Sequence, residues 1–124
     1  MPAFWSNENL EFWHGYAFRA TLDVHRVEDE DYVLAGHSAI FRLQAIGGDA
    51  DLINVSMPLV GSPALTIFQG IPNVFVATFS LVIPALDVQL LTPGETYQYA
   101  VYMTDSRGET MPERVGYVYV GQSL

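Results

Sequence analysis

At 124 residues the chain has room for one domain and not for two. Half of it is apolar, enough to build a core and to exclude global disorder. Five basic against 14 acidic side chains give a formal net charge of −9, which repels phosphate backbones and anionic membrane surfaces and argues against nucleic-acid or membrane partners. All the cations are arginine, so Schiff-base lysines and the P-loop lysine are excluded. Cysteine is absent, which removes disulfide scaffolds, thiol nucleophiles and thiolate metal sites. The first residues, Met1-Pro2-Ala3-Phe4-Trp5-Ser6-Asn7-Glu8, lack the basic and uninterrupted apolar regions of a signal peptide. The longest apolar stretch, 74–86, is broken by Thr78, Ser80 and Pro84 and falls well short of the roughly 20 residues of a spanning helix.

Along the chain the dominant period is two. The weak run 10–14 is a candidate first strand. In 16–25 the even positions Tyr16, Phe18, Ala20, Leu22 and Val24 are expected in the core, with Ala17, Arg19, Thr21, Asp23 and His25 outside. Glu28-Asp29-Glu30-Asp31 reads as a solvated loop tip, since it lacks the spaced Asp/Asn-Gly pattern of a calcium loop. The run 38–45 alternates Ala39, Phe41, Leu43 and Ala45 against Ser38, Arg42 and Gln44. Gly47-Gly48-Asp49 is a turn, 52–55 a weak strand, Gly61-Ser62-Pro63 another turn, and 65–68 a further weak strand. Residues 69–73 break the chain before 74–83, whose Phe75, Ala77, Phe79, Leu81 and Ile83 lie on one side. The run 96–104 places Tyr97, Tyr99, Val101 and Met103 on one face, and Asp105-Ser106-Arg107-Gly108 links it to 115–120 as a hairpin. No window carries a helical stripe. Seven to eight short antiparallel strands at this spacing predict an all-β chain, a single immunoglobulin-like β-sandwich over 10–124 behind an N-terminal arm at 1–9.

One local signature is sharper than periodicity. Leu91-Thr92-Pro93-Gly94-Glu95-Thr96-Tyr97 matches the Leu-x-Pro-Gly-x-x-Tyr corner of fibronectin-III-like sandwiches. Leu91, Pro93, Gly94 and Tyr97 are its structural residues: Pro93 sets φ, Gly94 permits the turn, and Tyr97 can bond to the upstream backbone while its ring enters the core. Chemistry is thinly represented. His14, His25 and His37 fall on different elements, so no metal or catalytic site is predicted at them. Hydrolase, dinucleotide and zinc-protease motifs do not occur, nothing places two carboxylates across one cleft, and no cofactor is expected. Asn54-Val55-Ser56 fits a glycosylation sequon, a pattern that also arises by chance.

The aromatics and surplus apolar residues carry more. A half-exposed strand should be polar outside, yet Val74, Val76 and Val82 oppose the inner residues of 74–83, and Val118 and Val120 oppose Tyr117 and Tyr119. Phe4 and Trp5 precede the first strand. These residues, with Trp13, are the candidate partner interface. Such aromatics equally suit a sugar-stacking platform.

From Leu10 onward the sequence resembles the small immunoglobulin-like virion proteins of tailed bacteriophages, including the N-terminal domains of baseplate and tail-fibre adaptors. Phe12-Trp13-His14-Gly15-Tyr16-Ala17-Phe18 matches that family's Phe-x-x-Gly-x-x-Phe strand, followed by the acidic turn at 28–31. Its closing Leu-x-Pro-Gly-x-Tyr-x-Tyr-x-Val strand matches 91–101 with one extra residue between Gly94 and Tyr97. Thr104-Asp105-Ser106-Arg107-Gly108 matches the family's turn, and Gly116-Tyr117-Val118-Tyr119-Val120 its last strand. Baseplate adaptors usually continue further, whereas this sequence stops four residues after that strand, which a stand-alone capsid cement (decoration) protein also fits. The resemblance implies a non-enzymatic structural protein of the virion, in tail, baseplate, fibre or capsid, assembled in many copies against other virion subunits. The alternative is a carbohydrate-binding module for host-surface glycans.

Overall fold

The computed structural model describes residues 9–122, and among them eight strands and one short helix follow one another. The strands are β1 (Leu10–Trp13), β2 (Phe18–Val27), β3 (Ser38–Ala45), β4 (Asp51–Met57), β5 (Leu59–Phe68), β6 (Ile71–Ile83), β7 (Thr96–Thr104) and β8 (Thr110–Gly121), with α1 (Ala85–Gln89) between β6 and β7. One sheet has the order β1-β8-β7-β3-β4 and the other β2-β6-β5, the two-layer arrangement of an immunoglobulin-like sandwich. Five of the six pairings are antiparallel; β1 runs parallel to β8, with Leu10 opposite Val118 and Trp13 opposite Gly121.

Period-two patterning decides which side chains go inward. Phe41, Leu43, Tyr99, Val101 and Met103 from the larger sheet meet Leu22, Val24, Phe75, Phe79, Leu81 and Ile83 from the smaller one. Phe41 and Tyr99 stack with ring centroids 5.3 Å apart, and Phe12 lies 4.5 Å from Phe18. The runs 38–45 and 96–104 keep their expected limits. Elsewhere the structure corrects the reading. Gly15, with φ at 84°, turns the chain before β2, so Tyr16 lies outside the strand and is exposed rather than in the core. Only Gln69 and Gly70, both with positive φ, form the β5–β6 turn, and Ile71, Pro72 and Asn73 already belong to β6.

The link between β6 and β7 crosses between the sheets. Pro84 precedes α1, and Val88, wholly buried, closes the core there. The corner that follows is held from both sides: the Gly94 N–H donates to Val120 O (2.7 Å), and the Val120 N–H to Glu95 O (3.1 Å).

Candidate functional site

The residues singled out from sequence separate into three groups. Leu91, Pro93, Gly94 and Tyr97 form the corner: Leu91 and Tyr97 are buried, Gly94 has φ at 85°, and the Thr92 N–H donates to the Tyr97 hydroxyl at 2.9 Å. Val74, Val118 and Val120 are wholly buried within the chain and cannot face a partner. On β8 the phase is the reverse of that expected for an interface, with Val118 and Val120 in the core and Tyr117 and Tyr119 outside. Val76 is half-buried, Val82 and Trp13 are exposed, and Phe4 and Trp5 lie outside the described residues.

The histidines stay apart. His14 Nε2 lies 3.1 Å from Gln89 O, His25 packs its ring 4.5 Å from that of Phe68, and His37 stacks on Phe75 at 4.6 Å. Among the described residues no three His, Asp or Glu side chains are grouped as metal ligands would be.

Two features emerge only in three dimensions. The first is a buried ionic cluster between the sheets. Continuing the inward phase of β2 past Val24 leads to Arg26 and then Glu28, both buried, so the acidic run is solvated only at Asp29, Glu30 and Asp31. Opposite them, a β-bulge in β8 inserts Glu113 between Pro112 and Arg114, the partners of Tyr102 and Val101, and aims it inward. Arg26 Nη1 donates to Glu113 Oε1 at 2.7 Å, Arg26 Nε lies 3.0 Å from Glu28 Oε1, and Asp105 Oδ2 is 3.8 Å from Nη2. Burial pushes the Glu113 carboxyl up, against the pull of Arg26. Burial acts on Asp105 in the same sense, but the Glu109 and Arg107 N–H groups outweigh it and hold that carboxyl below its ordinary value. Arg26 Nη2 also donates to the Tyr32 hydroxyl (2.9 Å), which lies 2.8 Å from His37 Nε2. A guanidinium only donates, so the Tyr32 oxygen accepts from Arg26 and its hydroxyl links Arg26 to the His37 ring. Burial pushes the His37 pKa down, consistent with a neutral ring. The cluster staples β2 to β8 and is closed to substrate.

The second feature is the surface, which has two distinct regions. At the pole near α1, Trp13 (49% exposed) and Tyr16 (58%) on one side accompany Leu86 (76%) and Leu90 (82%) on the other. The contact of His14 with Gln89 O ties the turn after β1 to α1. Leu86 and Leu90 stand one helical turn apart, opposite buried Val88. Trp13 lies so close over Gly121 that a Cβ there would come within 2.8 Å of its ring.

Away from the pole, the outer face of the larger sheet holds a groove of about 590 Å³. Small residues, Ala100 and Gly116, help to line it, with Tyr102, Tyr117, Arg42, Gln44 and Gln98 around them. A hydrogen-bonded chain fixes the polar side. Arg42 Nε donates to both Asp51 oxygens (3.1 and 2.9 Å), Gln44 Nε2 and Asn54 Nδ2 add bonds to Asp51, and Gln98 Nε2 donates to Gln44 Oε1 and Gly48 O. These bonds, that from Arg42 foremost, hold the Asp51 carboxyl below its ordinary pKa. The Arg42 guanidinium lies 5.2 Å from the Tyr102 ring centroid.

No protein-family model matches this chain, and no curated protein does. Among solved structures the chain is similar to AggA, the major subunit of aggregative adherence fimbriae type I from Escherichia coli, at 12% identity and a TM-score of 0.38, over 90% of this chain and 89% of that one. A likeness this distant says nothing of function.

Proposed function

We propose that the protein is a non-enzymatic structural module of a phage particle, part of a tail, baseplate or fibre adaptor or a capsid cement protein, working in many copies by packing against neighbouring subunits. The observation that carries the packing role is the pole, where the exposed Trp13 and Tyr16 flank the turn that His14 joins to Gln89 of α1, and Leu86 and Leu90 on that helical turn are exposed as well. Scattered apolar residues are ordinary on a soluble domain, but a grouped set marks a contact surface. The phage setting is supported by the sequence patterns at 12–18, 91–101, 104–108 and 116–120. Phe4 and Trp5 belong to the same proposal as a second anchor.

Replacing Leu86 and Leu90 together by Ser tests it. Each side chain is mostly in solvent, so the fold should survive with a stability change within about 1 kcal/mol. Incorporation into particles, followed by co-sedimentation, should fall sharply. Unaltered incorporation of the folded double variant would refute the assignment of the pole.

A further inference from the structure

The groove on the larger sheet offers recognition chemistry that packing does not use. Asp51 engages only the Nε–H of Arg42, and among the described residues nothing accepts from the two terminal amino groups. Gln98 commits its amide nitrogen to Gln44 and Gly48, leaving Oε1 as an acceptor. Arg42 stands opposite Ala100 and Gln44 opposite Gln98, so Arg42 and Gln98 are diagonal neighbours on one face. A donor pair beside an acceptor suits the vicinal hydroxyls of a pyranose, each of which donates and accepts. Tyr117, half exposed, supplies a ring for the sugar's C–H face, while Tyr102 is engaged by Arg42 and walls the groove. The volume is within the range of small-ligand sites.

Charge narrows the class. Asp51 already offsets Arg42, and the whole chain carries −9, so an acidic sugar is disfavoured. The polar groups are pre-set by their mutual bonds, which lowers the ordering cost of binding. We infer that this groove binds a neutral oligosaccharide, with Arg42 and Gln98 holding hydroxyls and Tyr117 stacking on a ring. The site lies on the sheet face, four residues along β8 from the Gly121 that Trp13 covers, and the inference does not depend on the packing role of the pole.

Calorimetric titration of the whole chain tests it, using neutral tetrasaccharides of glucose, galactose, mannose and N-acetylglucosamine, with tetragalacturonate as the acidic counterpart. At least one neutral probe should saturate, and Tyr117→Ala and Gln98→Ala should each weaken it about tenfold or more, with circular dichroism confirming the fold. Leu86→Ser, at the pole, should leave the affinity unchanged. The inference is overturned if no neutral probe saturates by about 10 mM, if tetragalacturonate binds more tightly than every neutral probe, or if affinity survives Tyr117→Ala. A monomer–dimer equilibrium in sedimentation that Tyr117→Ala abolishes, with no response to sugar, would assign the face to a second copy instead.

Discussion

Replacing Arg26 by Met should be among the most damaging single changes available to this fold. The guanidinium is 5% exposed and holds Glu113 at 2.7 Å and Glu28 at 3.0 Å, with Asp105 at 3.8 Å. Methionine keeps much of the volume but leaves three buried carboxyls facing one another, with Asp105 still paired to Arg107. Removing one partner of a buried pair costs about 3–5 kcal/mol, chiefly because the orphaned charge stays out of water. For a domain of this size that corresponds to a fall in Tm of roughly 10–20 °C. The loss should also depend on pH in a defined sense. Burial already pushes the Glu113 carboxyl up. Without the cation that opposes it, the folded variant takes up a proton there at a higher pH than its unfolded chain does, so the folded state binds more protons and gains stability as pH falls. Urea unfolding followed by tryptophan fluorescence at pH 7 and pH 5 reads both effects: the gap from wild type should be large at pH 7 and narrower at pH 5. A cost below about 1 kcal/mol at pH 7, or one equal at both pH values, would refute the cluster as a charge-balanced staple.

Two further expectations concern the corner and the buried imidazole. Tyr97→Phe removes the acceptor of the Thr92 N–H and should cost on the order of 1 kcal/mol in urea unfolding, with no change in oligomeric state. His37 is held neutral by burial, so its unfolded form binds more protons below the ordinary imidazole value; its contribution should be complete above about pH 6.5 and decline as pH falls below it. A His37→Gln variant should flatten that limb of the stability–pH curve, and an unchanged slope would remove His37 as its source.

The architecture was largely legible because alternation along a strand is a local property. Ser38–Ala45 and Thr96–Thr104 show it without interruption, and both are found with those limits. Where local pattern is ambiguous, alternation does not fix which face turns inward. A run of alternating Val and Tyr over 115–120 permits either phase, and packing chose Val118 and Val120 for the interior. The cluster was obscured for another reason. The inward phase of β2 does lead to Arg26 and Glu28, but charged side chains argue against burial until their partners are known, and Glu113 arrives from 85 residues beyond Glu28 through a bulge. The pole and the groove bring together residues from distant segments, which no single stretch of sequence displays.

The parallel pairing of β1 with β8 gives the sandwich a mechanical character. The chain enters the domain at Leu10 beside Val118 and leaves it at Gly121 beside Trp13, at opposite ends of the paired segment. Tension drawn through the flanking chain therefore slides the two strands past one another, loading their transverse hydrogen bonds together. An antiparallel pair of end strands, pulled from a shared end, would unzip bond by bond. The His14 N–H bond to Gly121 O (2.9 Å) extends the sheared segment, and the Gly94 and Glu95 bonds to Val120 brace β8 from behind. Within a chain of linked subunits, such a domain would transmit load rather than open under it.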